Sequence, residues 1–570
     1  MNRYTTSSAA IAFALACATA CVPMDGKLSA GIEGPADFPG HPITKGAITQ
    51  EDFAERVKAL ADDRFAGRGP GTERGEAAAD WIAEEMKRIG LQPGNKGSYF
   101  QNVPAASITL DPARSSFEIS GKDGNTSLKF ADEVAFWTPR FDKAEQVVRD
   151  SDLVFVGYGV NAPEHKWNDF QGVDVKGKTI VLLINDPGFI TGDESLFKGR
   201  AMTYYGRWTY KFEEAARRGA AAVIIVHETE PAAYGWQVVR NSNTGAKYYL
   251  DKTNGNADLA AVHSWVTTDV ARSLFARAGL NYDKLRLAAN KRGFRAVPMK
   301  GLKLNARTQS SVSKLQTRNV LGVLKGAVKP AEHVLYMAHW DHLGVKEGVP
   351  GADKIHNGAL DNATGTAAIL EMAEAFATAP KPPARSVLFA AVTLEEQGLL
   401  GSEFFAKHPV VPLRRIVAGL NFDGVGPSGP SRDMTVVGSG ASELEDMLAS
   451  ILKTKGMTVT PDPEPEKGSF YRSDHISLAK VGVPMLYAGA GTDLVEGGRE
   501  AGLAQRQDYT RNRYHQPSDE FSASWDLRAA VQTMETMHEL GNRIANSSAW
   551  PKWYKTSEFR RVRDRSLKSR

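Results

Sequence analysis

Glu332-His333-Val334-Leu335-Tyr336-Met337-Ala338-His339-Trp340-Asp341-His342-Leu343-Gly344 decides the reading of this chain. An apolar run of strand length, Glu332–Ala338, empties into a loop of two histidines and an aspartate. Strands with no polar alternation are buried on both faces, as in parallel sheets with helices on each side. Open sheets of that kind place ligands at the carboxyl ends of their strands. In a strand continuation, His339 and Asp341 point the same way, so the carboxylate can orient the imidazole. Alone, the pair is a weak signal, and a surface-loop histidine is the better reading of it.

The pattern repeats outward from there. Thr364–Ala377 reads as a helix, Ser386–Thr393 and Arg415–Asn421 as strands, and Pro484–Ala488 as a later strand. Alternating strands and helices predict an α/β fold, a mixed sheet flanked by helices. Chemistry-bearing residues gather at the predicted strand ends. Asp361 and Asn362 precede the first helix, where a simple N-cap is the bland alternative. Glu395 and Glu396 follow Val387–Val392, and Asp423 follows Asn421. His515 lies in the loop Tyr514-His515-Gln516-Pro517-Ser518-Asp519. Each group alone could be a turn. Five of them in one α/β unit make coincidence a poor explanation. Imidazole and carboxylate without thiolate suit Zn²⁺, and also Mn²⁺ or Co²⁺. Five ligands with one bridging carboxylate suit two ions roughly 3.5–4 Å apart, with one glutamate left over as a base.

The wider composition agrees with an ordinary globular protein. The 570 residues are 42% hydrophobic and 24% charged, which excludes global disorder. A net charge of +4 does not imply nucleic-acid binding. Part of the excess is local, since Pro551–Arg570 holds eight Lys/Arg against two acids and reads as a solvated basic tail, 551–570. The two cysteines, Cys17 and Cys21, lie at the N-terminus, so the body of the chain has neither a disulfide framework nor a thiolate metal site.

Arg3, the apolar stretch Ala9–Ala20 and the small residues before Cys21 predict a signal peptide over 1–21. The Cys21 position resembles a bacterial lipoprotein processing site, although Ala18 stands where a larger aliphatic residue is usual. Export follows, to the periplasm, to the medium or to a membrane through lipidated Cys21. A Gly/Pro/Ala-rich linker is expected over 22–48. From Thr49 the pattern is helical, and Ala78, Ile82, Met86 and Ile89 recur at helical spacing before Gly90. Between Ser151 and Val226, Leu153–Gly159, Lys178–Ile184 and Ala221–Val226 read as strands and Lys211–Arg218 as a helix, without a cluster of catalytic residues.

Taken in order, these groups resemble the co-catalytic di-zinc aminopeptidase family, which includes bacterial leucyl aminopeptidases, aminopeptidase Y and glutamate carboxypeptidase. The loop Gly67-Arg68-Gly69-Pro70-Gly71-Thr72, Tyr99-Phe100-Gln101 and Asn319-Val320-Leu321-Gly322 match further family signposts, read as serving the fold. The resemblance implies that His339 and Asp423 hold one zinc, Glu396 and His515 the other, and that Asp361 bridges them. It makes Glu395 the general acid/base and Asp341 the orienting partner of His339. It implies a peptidase domain over 49–139 and 296–550, interrupted over 140–295 by a mostly β protease-associated insertion that narrows access. Leu360 stands where relatives often carry a second Asp, and Trp340 where Tyr is common. Asp474-His475 also resembles a family segment and reads as a structural hydrogen-bonding pair.

The implied activity is hydrolysis of the N-terminal peptide bond of peptides, with metal-activated water and Glu395 as base. A carboxypeptidase or dipeptidase on the same site is the alternative, with Arg472, Arg499, Arg511 and Arg513 as candidate cations for a substrate carboxylate. Glutaminyl cyclisation resembles a single-zinc site and fits the full ligand set less well. A receptor-like binding protein would have lost ligands that are all present here.

Overall fold

Two mixed sheets share one strand, the 28-residue Val297–Leu324. The computed structural model describes residues 38–346 and 353–568. The expected signal peptide with its two cysteines, and most of the expected linker, lie outside the described residues. Among the described residues no helix is long and apolar enough to cross a membrane.

The C-terminal half of the shared strand lies in the first sheet. There it pairs antiparallel with Phe100–Leu110 on one side and Arg385–Val392 on the other. The sheet continues through Lys329–His339, Ile416–Asn421 and Met485–Ala490, all parallel to Arg385–Val392. Asp433–Val436 and Thr458–Pro461 complete that edge. Arg385–Val392 and Ile416–Asn421 are buried along their whole length, which explains the apolar runs Val387–Val392 and Ile416–Leu420 within them. Their side chains divide by parity. Val334, Tyr336, Ala338, Val387, Phe389 and Ala391 face a core with helices Glu73–Arg88, Thr364–Ala377, Glu443–Thr454 and Arg528–Ala545. Leu335, Met337, Leu388, Ala390 and Val392 face another with Phe405, Leu478 and Trp553. The expected α/β architecture is therefore present, and the helix Thr364–Ala377 has the expected bounds.

The N-terminal half of the shared strand pairs with Ser116–Gly121 and Glu145–Phe155 in the second sheet. Thr179–Leu183, Ala222–Val226 and Val262–Val266 follow in parallel, and Val134–Trp137 closes the edge. Helices Trp208–Arg217 and Thr268–Arg277 accompany these strands. The second sheet thus takes in strands that precede residue 140. Lys247–Leu250, from within 140–295, returns to pair with Phe100–Leu110 in the first sheet.

The C-terminal segment corrects the expectation of a solvated tail. Trp553 is fully buried and its indole donates to the Gly482 carbonyl at 3.0 Å. Arg563 is buried too, donating to the carbonyls of Ile416 at 2.7 Å and Leu413 at 3.1 Å. Charge counting missed this because arginine can bury its stem while its guanidinium serves carbonyls.

Candidate metal centre

Three parallel strands end at one edge of the first sheet, and each delivers a site residue there. His339 is the last residue of its strand, Glu395 and Glu396 follow Arg385–Val392, and Asp423 follows Ile416–Asn421. Asp361 comes from the irregular stretch Ala359–Ala363 that leads into the helix Thr364–Ala377. The peptide bond joining it to Asn362 is cis. His515 follows the helix Gly498–Asn512 in a left-handed conformation, φ 59°.

These residues converge around Asp361. His339 Nε2 is 3.4 Å from Asp361 Oδ1 and 3.5 Å from Asp423 Oδ1. His515 Nε2 is 3.2 Å from Asp361 Oδ2 and 3.1 Å from Glu396 Oε2. The two oxygens of Asp361 thus face two different histidines. His339, Asp361 and Asp423 could hold one ion between them.

A second grouping, His342 with Asp361 and Glu396, adds a residue that the sequence reading passed over. His342 is fully buried and its Nδ1 lies 2.6 Å from Glu396 Oε1. It shares a motif with His339, and the alternation that singled out His339 and Asp341 points His342 the other way. The histidine-rich spacing was its only signal.

Asp341 is placed differently from expectation. The His339 Nδ1–H donates to the backbone carbonyl of Asp341 at 3.1 Å, while the nearer carboxylate oxygen is 4.0 Å away. This main-chain bond leaves Nε2 as the free, ligating nitrogen. The Asp341 carboxylate instead accepts the Glu395 backbone N–H at 3.1 Å. Burial pushes it up to about 7, against the pull of His339.

Asp474 and His475 do not form the expected hydrogen-bonding pair. All four of their side-chain polar atoms are buried without a hydrogen-bond partner. The His475 ring packs edge-on against Phe470 at 4.5 Å, and burial drives it down to about 3, so it is neutral. Among the candidate cations, Arg513 pairs with Asp508, and Arg472 is exposed.

The electrostatics are those of a cation site. Desolvation alone would raise Glu396, yet His342 and His515 beside it hold its carboxyl down at about 2. Burial likewise opposes ionisation of Asp361, and His339 and His515 override it. Glu395 goes the other way. Desolvation pushes it well above the ordinary range, and Asp423, Glu396 and Asp474 add to this against the pull of His339.

The buried donor atoms give a direct test of metal fit. His339 Nε2, both ring nitrogens of His342, and Glu396 Oε1 are buried without a properly directed hydrogen bond. Buried polar atoms are normally satisfied, so orphans clustered within two groups of potential metal donors call for a partner. Imidazole and carboxylate donors suit zinc, and these residues fit it.

Residues 319–540, which contain all of these ligands, match the model of peptidase family M28. Similar curated proteins include the mouse (Mus musculus) aminopeptidase NAALADL1, 37% identical over 110 residues, 18% of this chain and 13% of that protein. Another is aminopeptidase YwaD of Bacillus subtilis, 31% identical over 152 residues, 25% of this chain and 31% of that one. The matched residues thus span less than a third of either relative. A solved aminopeptidase from Aneurinibacillus sp. strain AM-1 aligns over 88% of this chain and 95% of its own, at 17% identity and a TM-score of 0.47.

Proposed function

We propose that the protein is a zinc-dependent aminopeptidase that binds two ions and removes N-terminal residues from peptides. The observation that carries this reading is Asp361, whose two carboxylate oxygens face separate histidines inside a peptidase-family segment. His339 and Asp423 would complete one position, and Glu396 and His515, beside His342, the other. Manganese or cobalt would meet the same donors. The relatives named as aminopeptidases support the N-terminal direction.

When bound, the ions supply Lewis acidity toward the scissile carbonyl and the attacking water. The chain's own residues do the rest. Glu395 accepts the proton of the water as its oxygen bonds to the carbonyl carbon. As the C–N bond breaks, Glu395 returns that proton to the leaving amine. Burial raises this carboxyl above its ordinary range, and the added basicity suits it to take up the proton. The Asp341 carboxylate fixes the backbone from which Glu395 projects. His339, held through its Nδ1–H, keeps one tautomer throughout.

The second sheet serves as the protease-associated insertion and narrows the approach to the site. The N-terminal segment directs export, to the periplasm, to the medium or to a membrane through lipidated Cys21.

The test is to purify the chain from Val22 onward and measure bound zinc, together with amino-acid release from free and N-acetylated peptides, before and after chelation. Two zinc ions per chain and chelator-sensitive release from free N-termini alone are expected. Release from N-acetylated peptides but not from C-terminal amides would replace this reading with a carboxypeptidase.

A further inference from the structure

Asp361 has no regular ladder to hold it. It sits in a stretch with non-helical backbone, φ −110° and ψ 90°, followed by Asn362 at φ −137° and ψ 41°. A bridging carboxylate needs a fixed position, because ligand misplacement of an ångström is costly.

Two charged side chains from remote parts of the sequence hold this stretch from opposite sides. Asp519 Oδ1 accepts the Leu360 N–H at 3.0 Å and Oδ2 accepts the Asp361 N–H at 3.1 Å. The Ala359 N–H donates to the Asp519 backbone carbonyl at 2.9 Å. One residue therefore receives three consecutive backbone N–H groups. The Tyr509 hydroxyl donates to Oδ2 at 3.1 Å and steadies the carboxylate.

From the other side, the buried Arg68 guanidinium donates to the carbonyls of Asn357 and Gly358, which lead into the stretch. It also donates to Trp340, between His339 and Asp341, and to Leu60, both at 2.8 Å. All of its partners are carbonyls, so its charge is not spent on a single carboxylate. Ala66, Gly67 and Arg68 are all left-handed, at φ 49°, 64° and 49°. That conformation is disfavoured for Ala and Arg. A Cβ at Gly67 would lie 2.5 Å from the His356 carbonyl, so the turn is pressed directly against the segment that Arg68 serves.

We infer that Asp519 and Arg68 are positioning residues that jointly set the Asp361 carboxylate between the two metal positions. Asp519 lies four residues after His515, so it also ties the loop carrying that histidine to the stretch carrying Asp361. The Gly67–Thr72 loop thereby has a function beyond supporting the fold. The inference rests on the proposed di-metal reading.

The experiment uses the purified protein and zinc alone. Zinc affinity is measured by competition with a chromophoric chelator, alongside the melting temperature of the metal-free protein. Asp519→Asn keeps the shape but leaves one acceptor oxygen for two N–H groups. Its zinc affinity should fall roughly ten- to hundredfold, the usual effect of losing a partner that orients a ligand, with the metal-free melting temperature nearly unchanged. Tyr509→Phe, which removes only one donor to Asp519, should change zinc affinity less than threefold. Arg68→Lys should weaken zinc binding in the same direction as Asp519→Asn. Unchanged zinc affinity in Asp519→Asn overturns the inference and leaves the proposed function standing. So does a loss that merely follows a loss of metal-free stability. A wild-type chain that binds no zinc overturns both.

Discussion

At the scale of single residues, the adjacent glutamates have opposite electrostatic fates. Glu396 is flanked by His342 and His515 and stays ionised, as a ligand must. Glu395 is desolvated and crowded by other carboxylates, which raises its carboxyl above the ordinary range. Glu395→Gln should therefore lower kcat by roughly 10²–10⁴-fold, the range for a lost general acid/base, while bound zinc stays at the wild-type level. Zinc analysis and steady-state kinetics on one preparation decide this. Loss of zinc in step with activity would move Glu395 into the ligand set.

The proposed ligands His339, Glu396 and Asp423 were legible because strand ends announce themselves: an apolar run followed abruptly by His or a carboxylate. His342, Arg68 and Asp519 were not. His342 sat beside a stronger candidate in the same motif. The partners of Arg68 are 8 to 290 residues away, and no local pattern encodes such distances. Asp519 looked like one more turn aspartate, since its backbone donors come from a segment 158 and 159 residues earlier.

At the scale of elements, three helices meet on one buried ion cluster. Arg56, on Gln50–Leu60, bonds Glu85 at 3.1 Å and also contacts Glu371 and Glu374 on Thr364–Ala377. Glu85, on Glu73–Arg88, further accepts from Arg88 and lies 3.0 Å from His41 Nδ1. Burial would raise the Glu85 carboxyl, but Arg88, His41 and Arg56 hold it down at about 2, against 4.5 for a free side chain. A folded-state value below the unfolded one gives stability that is complete above pH 4.5 and is lost as the pH falls toward 2. The difference corresponds to about 3 kcal/mol. Glu85→Gln should thus be less stable than wild type by about that amount at pH 7. The gap should close between pH 4.5 and 2 in denaturant titrations. A gap independent of pH would show that packing, not charge, makes the contribution. Helical periodicity placed these helices in the sequence, but periodicity marks apolar faces and is blind to a buried arginine that joins three of them.

At the scale of the whole molecule, the C-terminal segment is part of the core. Trp553 packs with Phe559 at 5.1 Å and lies in the cluster under the central strands. Trp553→Ala should cost roughly 3–5 kcal/mol, as for other large-to-small changes at buried aromatics, with a matching drop in the denaturation midpoint. A variant as stable as wild type would restore the solvated tail that the run of basic residues suggested.

The strand Val297–Leu324 has a consequence for how the molecule could be cut or rebuilt. Its pairing with the second sheet runs to Gln309, and its pairing with the first begins at Ser310. No slack residue separates the two. A graft that removed the second sheet would have to end this strand in mid-ladder and leave Ser310 as a raw edge. Motion between the sheets has no loop there to act as a pivot and must be absorbed by bending a hydrogen-bonded ribbon. The two sheets are in this respect joined by a splint rather than a hinge.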